Sequence, residues 1–411
     1  MWNALLDRML RRLIRIGDLH VVMPDGLCHR YGDGSGAAVK LWLHSPSLPR
    51  KILQNTELAV GEAYADATLT IENDDLYGFL TLGAKNLRRN DADIWWRRPL
   101  AKFRVAFRHL QQHNPVGKAQ ANVARHYDLS RELYDLFLDE DKQYSCAYFR
   151  NPDDTLEQAQ AAKKSHIANK LLIKPGMRVL DIGCGWGGMA LTLARDYGAR
   201  VVGVTLSKEQ HAVATHRAAE AGLSDRVEIR LMDYRHVTET YDRIVSVGMF
   251  EHVGVPHYRE YFNQLGQILA PDGVALIHTI GRSSGPGITS PWILKYIFPG
   301  GYAPALSETM SALEQEALTT ADIEVWRLHY AETLKHWHDR FVANIDAARD
   351  LYDDRFCRMW RYYLIASELT FRNNQQVVFQ LQLAHKQDAV PLTRDYLYSP
   401  QRTVHHQRAA E

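Results

Sequence analysis

The stretch that most constrains this chain is Arg178-Val179-Leu180-Asp181-Ile182-Gly183-Cys184-Gly185-Trp186-Gly187-Gly188. An apolar strand runs into a glycine turn and then into the helical pattern Met189 to Tyr197, and such a turn lets backbone approach a nucleotide closely. Gly183, Gly185 and Gly188 satisfy G-x-G-x-x-G, which by itself fits a pyrophosphate at a helix N-terminus. A dinucleotide site also needs an acidic residue about 20 residues on, for the ribose. The second strand, Arg200 to Val204, runs instead into Thr205-Leu206-Ser207, with no carboxylate. Asp181, at the end of the first strand, suits a cationic ammonium better than a pyrophosphate. The pattern therefore favours S-adenosylmethionine over NAD and disfavours hydride transfer. The bland alternative, an ordinary strand-to-helix turn, loses ground because a βαβ pattern surrounds it.

Further strands are expected at Val227 to Leu231, Tyr241 to Val247 and Gly273 to Ile280, predicting a mostly parallel sheet. Ligands in such sheets sit beyond the carboxyl ends of the strands. Glu251, in Gly248-Met249-Phe250-Glu251-His252 past the fourth strand, and His278, late in the fifth, are therefore expected to converge. Each alone has a plainer reading, a helix-start cap for Glu251 and a satisfied core residue for His278; their joint placement beside the glycine turn is what singles them out. Upstream, Tyr144-Ser145-Cys146-Ala147-Tyr148-Phe149 is rich in aromatics. Cys146 reads as a small buried hydrophobe with nothing nearby to lower its pKa, although a free thiol still donates a weak hydrogen bond. The stretch Gly281 to Pro291, followed by Trp292 to Phe298, reads as a flexible lid over an apolar pocket or as an ordinary buried helix. Helical patterns follow at Ser307 to Leu318, Tyr330 to Tyr352 and Asp354 to Phe371, before a last edge strand at Val377 to Ala384. Tyr330 has no distinction of its own at this level.

A length of 411 residues with 46% hydrophobic content allows a large domain with a smaller companion. The net charge of +1 provides no global field, so an anionic partner must be met by local patches. Cys28, Cys146, Cys184 and Cys357 form no C-x-x-C pair. They suit a reducing cytoplasm, and no metal is expected. No segment approaches the roughly 18 to 20 apolar residues of a membrane span, and the N-terminus lacks a signal-peptide pattern. Near that end, Trp2, Leu5, Leu6, Met9, Leu10, Leu13 and Ile14 recur at helical spacing, with Arg8, Arg11, Arg12 and Arg15 on the opposite face. This basic amphipathic helix either docks on its own domain or a partner subunit, or lies on an anionic bilayer. Ala38 to Leu43 alternates like a strand, and Gly61-Glu62-Ala63-Tyr64 with Ala67 to Ile71 completes a small mixed α/β unit. Between Lys85 and Arg108 eight basic residues stand against two acids, with Trp95 and Trp96 among them. That mixture suits an anionic membrane surface, a single-stranded nucleic acid or a solvated linker. Breakers at Asn114-Pro115-Val116-Gly117 divide a domain of residues 1–115 from one of 116–411, and Asn122 to Leu138 and Thr155 to Leu172 read as helices.

Taken in order, Tyr144 to Phe149, Leu180 to Gly188, Val204 to Ser207, Ser246 to Gly254, Ile277 to Gly281 and Lys295 to Gly301 resemble the cyclopropane-fatty-acyl-phospholipid synthases, across roughly Asn122 to His385. The resemblance implies an α/β fold of the class I S-adenosylmethionine-dependent methyltransferase type, Rossmann-like with a mostly parallel sheet, beside a smaller N-terminal α/β domain. It implies methyl transfer from S-adenosylmethionine to a cis double bond of a phospholipid acyl chain, loss of a proton and closure of a three-membered ring. It further implies a bound bicarbonate ion as base, held by Cys146, Glu251, His278, Tyr330 and the backbone of Ile280. Cofactor contacts implied in the same way fall on Tyr144, Ser145, Gly183, Gly185, Thr205, Ser207, Gln210, Tyr234 and Arg235, to which the charge argument adds Asp181. The partner implied is an unsaturated phospholipid in an anionic bilayer, met peripherally from the cytoplasm, with no nucleic acid and with a homodimer allowed. Some relatives leave an unclosed methyl or methylene branch, and a non-catalytic lipid-binding protein would need neither Glu251 nor His278.

Overall fold

The computed structural model describes residues 1–90 and 130–398. The basic stretch beyond Asn90, the boundary at Asn114 to Gly117 and the start of the helix expected from Asn122 lie outside the described residues; from that helix, Arg131–Asp135 is helical.

The N-terminal unit is a four-stranded sheet in the order β2-β1-β3-β4, with β1 at Asp18–Val22, β2 at Cys28–Tyr31, β3 at Ala38–Leu43 and β4 at Leu69–Ile71. The alternation expected in β3 is present, with Val39, Leu41 and Leu43 turned inward. The basic helix forms at Trp2–Leu13, and Leu6 is buried against its own domain while Arg8, Arg11, Arg12 and Arg15 are exposed. Its inward face thus packs within the domain, leaving Trp2 and Leu5 at 38% and 39% exposure.

The larger unit is built on a seven-stranded sheet in the order β10-β11-β9-β8-β5-β6-β7. Strands β5 (Arg178–Ile182), β6 (Arg200–Thr205), β7 (Val227–Leu231), β8 (Tyr241–Val247) and β9 (Leu269–Arg282) are parallel neighbours. Helices Gly188–Tyr197, Lys208–Glu220 and Tyr258–Ile268 connect them. The order reverses between β6 and β8 around β5, which puts a crevice at the carboxyl end of β5, where the glycine turn lies.

The last strand, β11 (Gln376–Ala384), is not an edge. It lies antiparallel between β9 and a further strand, β10 (Thr319–Trp326), that the sequence pattern did not reveal. Every residue of β11 from Val377 to Ala384 is buried, as a central strand's are. The true edge, β10, carries Asp322 and Glu324, which take ion pairs from Lys170 and Arg394 and blunt that edge. The helix expected over Tyr330 to Tyr352 is two helices, His329–Ala343 and Ile345–Leu351. Asn344 separates them, its side chain donating to the carbonyls of Leu136 and Arg340.

The two units meet where helix Thr56–Ala65 packs on Trp292 and on helix Asp354–Asn373. A Cβ on Gly61 would lie 2.4 Å from Trp292 Nε1, so only glycine permits this approach. Around that contact Glu62 accepts from Lys295 Nζ at 2.5 Å and Tyr296 Oη at 2.8 Å, and Arg358 Nε donates to the Ala65 carbonyl at 2.9 Å. Surface pairs of this kind contribute about 0–1 kcal/mol each. Burial of Tyr64, Trp292 and Tyr362 supplies the larger share.

Candidate active site

The glycine turn owes its shape to three left-handed residues, Gly183, Gly185 and Gly187, at φ of +79°, +54° and +83°. Gly188 plays another part: a Cβ there would meet Gln143 Nε2 at 2.3 Å and Asp141 Oδ2 at 2.4 Å, so it permits the segment before Tyr144 to lie against the helix start. Gly183, Gly185, Thr205, Gln210, Tyr234 and Arg235 all line one cleft of about 120 Å³. Within it the Thr205 hydroxyl donates to Gln210 Oε1 at 2.9 Å. Asp233, which sequence reasoning passed over, lies on the same wall and holds Arg235 through two bonds of 2.9 and 2.7 Å. Burial acts to raise its pKa, but the bonds from Arg235 hold Asp233 below the usual range and keep it ionised.

Four residues assigned to the cofactor are not in this lining: Tyr144 and Ser145, which belong to a second cavity, and Ser207 and Asp181, which line neither. Ser207 is the N-cap of helix Lys208–Glu220, its hydroxyl accepting from the Gln210 amide, and it is not among the residues lining the cleft. Asp181 is buried behind the turn, with Oδ2 lacking a hydrogen-bond partner, and it too is absent from that lining. Burial raises its carboxyl to about 7, so near neutrality it carries only part of the negative charge on which its assignment rested.

Tyr144 and Ser145 line a second, larger cavity of about 620 Å³. Cys146, Glu251, His278, Ile280 and Tyr330 line the same space, so the structure brings together residues from a loop, the short helical turn Phe250–His252 after β8, strand β9 and a helix. Gly248 and His252 line both cavities and mark where cleft and cavity meet. Most of the remaining wall is aromatic and aliphatic, including Trp292, Phe298, Tyr363 and Phe371, with polar positions at Glu57, Arg282, Asn374 and Gln376. It extends to the N-terminal unit, where Leu6, Met9, Leu10 and Leu13 of the first helix and Leu41 and Leu43 of β3 face it. The segment read as a lid forms part of this wall, through Ile288, Trp292 and Ile293.

Within the cavity, Glu251 Oε1 accepts from the Ile280 amide at 2.6 Å, while Oε2 is buried without a hydrogen-bond partner. The Ile280 N–H is therefore engaged by Glu251. Burial raises the Glu251 carboxyl to about 7 and pushes His278 well below the ordinary imidazole value, so the ring is neutral. It also lowers His252 to about 4. The Cys146 thiol is pushed up by burial and points to the Ala147 carbonyl at 3.3 Å. Tyr330 stands edge-on to Trp337 with ring centres 5.9 Å apart. Behind Ser145 lies the wholly buried Lys163, whose Nζ donates to Ser145 Oγ at 2.8 Å and to Gln143 Oε1 at 2.7 Å.

Residues 115–381 match the family model described as mycolic acid cyclopropane synthetase. The chain belongs to that family. It is 39% identical over 350 residues to the cyclopropane-fatty-acyl-phospholipid synthase of Escherichia coli K12, covering 84% of this chain and 88% of that protein. It is 36% identical over 393 residues to the tuberculostearic acid methyltransferase UfaA1 of Mycobacterium tuberculosis H37Rv, covering 92% and 90%. Among solved structures, mycolic acid cyclopropane synthase CmaA1 complexed with SAH and CTAB superposes with a TM-score of 0.61 at 33% identity, covering 66% of this chain and 99% of that one. As a cyclopropane synthetase family member, this chain has the class I S-adenosylmethionine-dependent methyltransferase fold, with its antiparallel β11 inserted beside β9. Of the cleft residues, Gly183 and Gly185 were legible from the turn, whereas Thr205, Gln210, Tyr234 and Arg235 came from the family resemblance. Asp233 could have been found as the first carboxylate after β7, whereas His252 and Lys163 had no signal beyond their type.

Proposed function

We propose that the protein transfers a methylene unit from S-adenosylmethionine across a cis double bond of an unsaturated phospholipid acyl chain, closing a cyclopropane ring. The observation that carries this reading is the meeting, at Gly248 and His252, of the glycine-turn cleft with one apolar cavity that gathers Cys146, Glu251, His278 and Tyr330. A volume of about 620 Å³ lies within the roughly 300–1,000 Å³ of small-molecule sites, and an aliphatic wall reaching the N-terminal helix suits a long chain. An alkene is a poor nucleophile, and methylation leaves a carbocation that water would quench. The aromatic side chains of the wall, Trp292, Phe298, Tyr363 and Phe371 among them, offer π faces to that positive charge, and the apolar share of the lining disfavours water beside it.

One proton must then leave the transferred methyl. The polar groups around the cavity fit a small protonated oxyanion: the unpartnered Glu251 Oε2 can accept a hydroxyl, the ring of neutral His278 can donate, the Tyr330 phenol lines the same space, and the Cys146 thiol would donate to such an ion by turning from the Ala147 carbonyl. Bicarbonate bound among them would supply the base. Glu251, anchored on the Ile280 amide, orients the proton-bearing side of such an ion. In the cleft, Thr205, Gln210 and the Asp233–Arg235 pair offer hydrogen bonds to a nucleoside, and Lys163 fixes Ser145 in the cavity wall.

Incubating the purified protein with S-adenosylmethionine and vesicles of a cis-monounsaturated phospholipid tests the reading. Mass spectrometry should find a lipid heavier by one CH₂ that no longer reacts as an alkene. A product that keeps its double bond would reassign the chain to branch-forming methylation, and absence of any lipid product would overturn the proposal.

A further inference from the structure

Strand β11 reads Gln-Val-Val-Phe-Gln-Leu-Gln-Leu-Ala, and two of its three glutamines, Gln380 and Gln382, are wholly buried on one face. Burying a primary amide is costly unless its hydrogen bonds are made. Gln382 has an evident structural use, since Nε2 donates to the Lys170 carbonyl at 2.6 Å and Oε1 accepts from Tyr396 Oη at 3.1 Å. Gln380 is different. In the β9–β11 register it stands directly opposite His278, and its Nε2 lies 3.1 Å from His278 Nδ1, while its Oε1 has no hydrogen-bond partner.

The geometry points to Gln380 as a positioning residue that sets the tautomer of His278. With the amide in this orientation its nitrogen donates and cannot accept, so His278 Nδ1 is the acceptor, and in a neutral ring the single proton then resides on Nε2. Nδ1 is committed to Gln380, which leaves Nε2–H as the ring's donor for the cavity that His278 lines. Trp326, edge-on to the ring at 5.1 Å between centres, limits its rotation from another side. With the opposite tautomer, the ring would present a lone pair to the cavity and repel an oxyanion rather than bind it. This use of the tautomer rests on the oxyanion reading given above; the tautomer itself does not.

The test therefore reads the two separately. In protein labelled with ¹⁵N at histidine, the His278 resonances are assigned by their loss in His278→Gln and recorded without substrate or bicarbonate. The wild type should show a protonated Nε2 and a hydrogen-bonded, unprotonated Nδ1. Gln380→Met keeps the side-chain length but not the donor, so the Nδ1 resonance should move to that of an unbonded acceptor or a mixture of tautomers. Ring closure should fall by about the 10–100-fold seen when a partner orienting a functional histidine is removed, with S-adenosylmethionine affinity and melting temperature retained. Gln380→Asn, which keeps the donor on a shorter arm, should recover part of the rate. A proton on Nδ1 in the wild type would overturn the inference, as would a Gln380→Met protein with unchanged His278 resonances. An Nε2–H tautomer in an enzyme indifferent to bicarbonate would leave the role of Gln380 standing and remove the oxyanion reading instead.

Discussion

Glu251 joins stability and chemistry in one side chain. Its carboxyl titrates at 4.5 when unperturbed and at about 7 when buried here. Between those values the folded protein keeps a proton that the unfolded chain releases, so this group's contribution to stability falls as pH rises from about 4.5 to 7 and is level beyond. At about 1.4 kcal/mol per pKa unit, the penalty above pH 7 is of the order of 3 kcal/mol. Glu251→Gln keeps the acceptor for the Ile280 amide and removes the ionisation. Thermal melts should thus show the variant more stable than wild type at pH 8 and close to it at pH 4.5. Asp181, also raised to about 7, should leave a residual slope in the same window that Asp181→Asn removes. The same Glu251→Gln change should depress ring closure by about 10² to 10⁴-fold, the range for a lost acid–base group, while calorimetry still finds S-adenosylmethionine bound. Cys146→Ser should lie on this axis with a milder loss, because serine remains a donor. A variant that closed rings at the wild-type rate would remove Glu251 from the chemistry.

Among the elements, the glycine turn offers the sharpest test of the cleft. A Cβ on Gly185 would meet no protein atom within 4 Å, so the space that Gly185→Val fills is the cleft itself, at a left-handed φ that a β-branched residue resists. Binding of S-adenosylmethionine should be lost with the fold retained, as read by calorimetry and circular dichroism. Gly61→Leu addresses the other joint. It forces Trp292 off helix Thr56–Ala65, and proteolysis should show the N-terminal unit released while the seven-stranded sheet persists. These elements also mark what a one-dimensional pattern can carry. The turn and the parallel strands were legible because their glycines and apolar runs are local, and Glu251 and His278 followed from the rule that ligands gather at the strand ends. Tyr330 was not legible from its surroundings, since it reaches the cavity from a helix some 50 residues beyond His278 and only the folded chain joins them. Strand β10 was hidden by the charges that protect it as an edge, and β11 was misplaced because, without β10, nothing stood outside it. The first helix was ambiguous for a physical reason: an amphipathic stripe looks the same whether it faces a sheet or a bilayer.

For the molecule as a whole, the substrate proposed lies in a bilayer, and no helix among the described residues is long and apolar enough to cross one. The first helix links surface to cavity: Met9, Leu10 and Leu13 line the larger cavity, while Arg8, Arg12 and Arg15 face solvent beside the half-exposed Trp2 and Leu5. Arg11, on the same outer face, is paired with Asp7 at 3.1 Å. Each basic residue near an anionic surface contributes about 1 kcal/mol, screened within a Debye length of about 10 Å at 0.1 M salt. Co-sedimentation with vesicles should therefore rise with anionic lipid and fall with salt. Arg8→Glu, Arg12→Glu and Arg15→Glu together should weaken it at least a hundredfold, because each reverses rather than removes a charge. Turnover on detergent-dispersed lipid should persist in that triple variant, since none of the three side chains lines the cavity. Equal binding to neutral vesicles would assign membrane contact to apolar groups alone. Binding that favoured single-stranded nucleic acid would instead favour the other reading of the basic residues from Lys85 to Arg108. Loss of turnover in detergent as well as on vesicles would mean that the arginines hold the first helix on its sheet, and that the cavity depends on that packing more than on the membrane.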